Sequence, residues 1–157
     1  MKNLKNSEQG FLLIILSIGL LWARSNYEKF IGGKFVDSLG TTLTKAAEHN
    51  PYSWYKSFLQ IVAIPNSVIF GQMVLWGEFL VAVAIIFPSI YLLRKQNRFV
   101  YTILILGLIG GFFLNLNFWL GFGWTSPSTD NLNLLMGAIE LTGAVIFYRR
   151  AKMKPIA

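Results

Sequence analysis

The chain has 157 residues, 54% hydrophobic and only 13% charged, with a net charge of +7 at pH 7. That is too apolar for an ordinary soluble protein, and the length suits one compact membrane domain. The cations stand in blocks beside apolar runs, with no basic face that alternates with stacking aromatics, so nucleic acid is excluded as a partner and the lipid bilayer is expected instead.

The absence of cysteine excludes thiolate catalysis and cysteine-ligated iron–sulfur clusters. A single histidine, His49, excludes a haem held by two histidines of one chain. Any electrons must therefore reach the chain through a diffusible carrier or a partner, and no covalently bound cofactor is expected.

Residues 1–10 are polar, with Lys2 and Lys5, and an apolar run over residues 11–22 precedes Arg24. This arrangement resembles a signal peptide. However, Leu21 and Trp22 before Ala23 do not make a small-x-small cleavage site, so a first span over residues 10–31 is expected to remain. Helical spacing places Ser17, Arg24 and Glu28 on one face, with Lys29 beside them. In a low-dielectric bundle either Arg24 or Glu28 alone would cost more than the pair. The alternative is that these charges snorkel to the interface.

Residues 32–66 are too polar to span. Phe35, Leu39 and Leu43 recur at four-residue spacing, and Trp54, Tyr55, Phe58 and Leu59 follow. Two interfacial helices are expected, separated at Asn50-Pro51 and ended by Pro65-Asn66, with Trp54 and Tyr55 suited to the headgroup layer.

Residues 67–93 form a second span whose one charged side chain is Glu78, near its middle. Such a run crosses a bilayer core of roughly 30 Å at about 1.5 Å per helical residue. Gly71, Glu78, Ala82 and Ser89 share a stripe, which should face other helices because a carboxylate in lipid costs several kcal/mol. Arg24 is the expected partner of Glu78. The alternative role for Glu78 is a protonated acid that only bonds a neighbouring helix.

A basic turn with Arg94, Lys95 and Arg98 leads into a third span over residues 99–120, where Gly107, Gly111 and Asn115 lie on one stripe. The loop over residues 121–130 has no lysine or arginine, and Ser126-Pro127 marks a turn in it. A fourth span covers residues 131–148, with Asn133, Gly137 and Glu140 on one face, and Arg149, Arg150, Lys152 and Lys154 follow it. The lysine and arginine distribution predicts a multi-pass protein with both termini cytoplasmic, although Lys34, Lys45 and Lys56 on the outer side depart from the rule.

These expectations define an all-α integral membrane four-helix bundle in one domain, with interfacial helices between the first and second spans. With alternate spans running in opposite directions, Arg24, Glu28, Lys29, Asn115, Asn117, Asn131 and Asn133 converge in the outer half. Glu78 and Glu140 form the floor of a polar pocket, and residues 32–66 form its lid. The alternative is a purely structural network.

Several motifs resemble the DoxX/DoxD-like family of four-helix membrane proteins. They are Gly19-Leu-Leu-Trp22, Glu28-Lys29-Phe30, Gly32-Gly33-Lys-Phe35, Trp54-Tyr-Lys-Ser-Phe58 with Pro65-Asn66, and, most specific, Trp76-Gly-Glu78-Phe79. Asn117-Phe-Trp119 and Ser126-Pro-Ser-Thr-Asp130-Asn131-Leu-Asn133 resemble the thiosulfate-oxidising side of that family. The resemblance covers about residues 12–148. It implies a bundle in the cytoplasmic membrane, a second redox subunit as partner, and a link to thiosulfate and quinone; a second copy of the chain is the other partner to be considered.

Three functions compete. The first is an oxidoreductase subunit in which Arg24 and Lys29 hold a small sulfur anion, Glu78 and Glu140 carry protons as catalytic groups, and quinone is the diffusible electron acceptor. The second is a non-catalytic membrane partner that anchors a redox complex. The third is a small-solute transporter, disfavoured by the lack of internal repeats.

Overall fold

The computed structural model describes residues 6–152, so Lys2, Lys5 and Lys154 lie outside the described residues. Among the described residues there are six α-helices and no strand: α1 (Asn6–Gly32), α2 (Phe35–His49), α3 (Ser53–Phe58), α4 (Ser67–Leu92), α5 (Arg98–Phe122) and α6 (Pro127–Lys152). A wider π turn, Leu59–Ala63, extends α3, and a short 3-10 turn, Gly123–Thr125, precedes α6. Four of the helices, α1, α4, α5 and α6, are long and apolar enough to cross a membrane. The protein is a multi-pass helical bundle with two shorter helices between its first and second spans.

Local chemistry sets the helix ends. Gly33, the one residue with positive φ among the described residues (φ 63°), lets the chain reverse between α1 and α2. Asn97 caps α5, its side chain accepting from Phe99 N at 2.9 Å and Val100 N at 3.4 Å. Ser126 does the same for α6, accepting from Thr129 N at 3.1 Å, with Pro127 occupying the first position, where no amide proton is needed.

Hydrophobicity alone predicted a fourth helix over residues 131–148. The cap starts it earlier, at Pro127, and Arg149, Arg150 and Lys152 extend its last turn, where cations suit the helix dipole. α1 likewise begins before residue 10. Glu8 lies in its first turn and pairs with Arg150, joining the start of α1 to the last turns of α6.

In the bundle α1 packs on α4, α4 on α5 and α5 on α6, while α1 meets α6 only narrowly. The Gly107, Gly111 and Asn115 stripe is buried, as its spacing predicts. Pro88 removes the amide that would bond the Ala84 carbonyl, and that carbonyl lies against Gly107, where a Cβ would stand 3.0 Å from it. The predicted stripe of α4 is also internal, with Gly71, Glu78, Ala82 and Ser89 all buried.

Two apolar clusters result. Leu12, Ile15, Trp22, Ile85, Leu104 and Leu108 anchor the bundle core. A second cluster, with Leu39, Leu43, Tyr55 and Leu59, lies under the cap formed by α2 and α3. Phe35, Leu39 and Leu43 thus point inward as their spacing predicts, and Trp54 is exposed as expected of an anchor. Tyr55, unlike Trp54, turns inward. It is only 6% exposed, because its hydroxyl finds a partner on α5 and its ring packs between Trp54 and Phe58.

Candidate functional site

Two buried carboxyl groups sit inside the bundle, each halfway along its helix and each 0% exposed. Their surroundings differ. Glu78 on α4 forms an ion pair with Lys29 of α1. Ser25, one turn earlier, has its Oγ 3.4 and 3.3 Å from the two Glu78 oxygens and receives a bond from Lys29 Nζ at 3.0 Å. The ammonium also lies 5.2 Å from the Phe35 ring centroid and 5.3 Å from that of Phe118, close enough for cation–π attraction.

Among the described residues Glu140 on α6 has no cation bonded to it. Its carboxyl accepts from Trp22 Nε1 at 2.7 Å and Asn115 Nδ2 at 2.8 Å, joining α1, α5 and α6. Gly111 lies directly against this carboxyl, where a Cβ would collide with it.

Between the bundle and the cap is a cavity of about 610 Å³. Its walls are mostly aromatic and aliphatic, and its polar groups are Ser25, Lys29, Thr42, Tyr55, Asn117, Thr129 and Asn133. Glu78 does not line it, but stands behind Lys29 and Ser25, which do. A second, more open cleft of about 300 Å³ lies between the end of α1 and the start of α2, bounded by Ser25, Glu28, Lys29, Lys34 and Ser38. Lys29 and Ser25 are common to both spaces.

The cap is fastened over the cavity by polar contacts to α5. Asn50 Nδ2 donates to Leu120 O at 2.9 Å, and the Tyr55 hydroxyl donates to Asn117 O at 3.2 Å, with Asn117 Oδ1 at 3.3 Å. Burial pushes the Tyr55 hydroxyl pKa above its usual value of 10.0.

Of the residues predicted to converge, Lys29, Asn117 and Asn133 line the cavity and Glu78 backs it. Asn133 Nδ2 bonds Thr129 O at 2.7 Å, so its amide is partly spent within α6. Asn115 and Glu140 belong to the separate set around Trp22, so Glu140 is not part of the cavity floor. Asn131 is exposed and lies outside both spaces.

The expected Arg24–Glu78 partnership is corrected. Arg24 pairs with Glu28 at 2.7 Å on the outward face of α1, where their side chains are 75% and 61% exposed. Position 24 is about half a turn away from the buried line through Trp22, Asn26 and Lys29, so its side chain points away from the bundle, and Ser17 points outward with it. Ser25 and Trp22 are the polar partners that the sequence reading overlooked. Both lie on the Lys29 face at helical spacing, which is the signal that could have found them.

No family model matches the chain, and no curated protein or solved structure does so either.

Proposed function

We propose that the chain is a membrane redox subunit of the DoxX/DoxD-like kind, in which Lys29 and Glu78 serve a quinone seated under the α2–α3 cap. The observation that carries this reading is one ammonium, backed by a buried carboxylate, facing a mainly apolar cavity of about 610 Å³. A quinone is an apolar ring with polar carbonyls, and such a ligand suits a cavity of this size with a few convergent donors. Lys29 Nζ would donate to a carbonyl oxygen, and Glu78 would hold and return a proton through Lys29 or Ser25.

Reduction of a quinone consumes two electrons and two protons. Two thiosulfate anions joined through a new sulfur–sulfur bond release two electrons. The cleft with Lys29 and Lys34 supports an anion beside the cavity, and Lys34 there takes the role first expected of Arg24. The lysine and arginine distribution further supports a cytoplasmic-membrane protein with both termini inside, so that the cap and cavity face outward.

The second reading is a non-catalytic partner of a redox subunit. It is favoured by the closure of both polar sets: Lys29, Ser25 and Glu78 partner one another, as do Trp22, Asn115 and Glu140. The deciding experiment uses purified chain in nanodiscs, offered thiosulfate and a short-chain quinone while quinone absorbance is followed. Turnover that Glu78→Gln abolishes without loss of folding supports the catalytic reading. Quinone binding without turnover supports the partner reading, and absence of both binding and turnover rejects the quinone site.

A further inference from the structure

The Arg24–Glu28 pair occupies a costly place. Trp22 bonds Glu140 and Lys29 pairs with Glu78, so the last third of α1, residues 24–28 included, is held to the bundle. Yet Arg24 and Glu28 face away from it. On the outer face of a helix that crosses a membrane the surroundings are lipid, where ionised side chains are expensive.

The same face carries a second, independent pattern. Leu13, Ser17, Leu20, Arg24, Tyr27 and Ile31 are all exposed, and they follow one another by alternating steps of four and three residues. That is the seam of a left-handed two-helix contact, in which one polar residue at a seam position sets register and partner number. Among the described residues no other helix covers this seam, since α1 packs mainly on α4.

Arg24 on the seam and Glu28 at its edge are self-complementary. Two copies inserted with the same topology are related by a two-fold axis along the membrane normal, which runs their α1 helices parallel. Residue i of one copy then meets residue j of the other, and j meets i. We propose that a second copy of this chain covers the outward face of α1, in a parallel dimer where Arg24 of each copy bonds Glu28 of the partner subunit. The guanidinium has donors enough to keep its own Glu28 while reaching across, so the dimer closes a four-membered charge network away from lipid. A different protein would need an acid and a base of its own at matching height, whereas a second copy brings both.

The chain has no cysteine, so single cysteines report proximity without background. Leu20→Cys and Tyr27→Cys lie on the seam, and Leu135→Cys, on the exposed side of α6, is the control. Full-length protein in native membranes is oxidised with copper phenanthroline and the disulfide-linked dimer quantified. The seam cysteines should give about tenfold more dimer than the control, a difference of about 1.4 kcal/mol.

Arg24→Glu or Glu28→Arg added to Leu20→Cys should each lower the yield about tenfold by placing like charges opposite one another. Co-expression of the two charge variants with different tags should restore it as a mixed dimer, which an ion pair confined within one helix would not do. Equal yields at seam and control positions, disulfides only to another protein, or no mixed dimer despite normal membrane levels of both variants would overturn the proposal. The seam-against-control comparison stands even where a charge variant fails to insert.

Discussion

Lys29 sits where two demands meet. It neutralises a carboxylate that is fully buried, and it faces a cavity large enough for a ligand. Removing one member of a buried ion pair costs about 3–5 kcal/mol, because the other is left charged without a partner. Lys29→Met keeps the stem and deletes the charge, so its thermal unfolding in detergent should show a loss in that range. Lys29→Met combined with Glu78→Gln leaves no orphan charge and should recover most of the loss. If the double variant were no more stable than Lys29→Met alone, the pair would not be what holds α1 to α4.

The pairing itself was not legible in the sequence. Arg24 and Lys29 are both near enough to Glu78 along α1, and the helix carries polar side chains on both faces, Arg24 and Glu28 outward and Ser25, Asn26 and Lys29 inward, so its periodicity does not reveal which face turns inward. The contact with α4 decides it through Gly19, against which Ile85 packs, and Asn26, which bonds Leu75 O at 2.6 Å.

At the scale of elements, the cap has the clearest amphipathic pattern in the chain, and its buried positions were readable from spacing. Its attachment to α5 depends instead on single side chains, Asn50 and Tyr55. The Tyr55 hydroxyl is held neutral by burial, so its folded pKa lies above the unfolded value. The stability that this contributes is fully present below the unfolded pKa of about 10 and is lost as pH rises through the folded one. Thermal stability in detergent should therefore fall more steeply for wild type than for Tyr55→Phe, which cannot ionise, as pH rises past the unfolded value of about 10. Parallel pH profiles for the two proteins would show that Tyr55 does not couple ionisation to the cap. Tyr55→Phe should also cost about 1 kcal/mol at neutral pH from the lost hydrogen bond.

For the whole molecule, the four spans leave two alternatives for orientation, and the distribution of lysine and arginine is the basis for predicting one of them. The turn between α4 and α5 holds Arg94, Lys95 and Arg98, whereas the connection between α5 and α6 has no lysine or arginine. Reporter fusions at Gln96 and Ser128 should accordingly label opposite sides, with Gln96 cytoplasmic. A cytoplasmic signal at both positions would mean that one span does not cross, and an inverted pair would put the cavity on the cytoplasmic face.

The sequence by itself determined the class of the protein, the number of long helices and, within a few residues, their positions. These follow from length and hydropathy, since a bilayer requires about 20 apolar residues per crossing. It also determined the buried stripes of α4 and α5, because there glycines and single polar residues mark one face of an otherwise uniform helix. Only the tertiary structure decided the rotation of α1 about its axis, and with it the partner of Glu78, the separation of Glu140 from the cavity and the outward position of Arg24. The physical reason is that a helix with apolar and polar residues on both sides carries no preferred face of its own, so packing contacts and a few internal hydrogen bonds set its rotation.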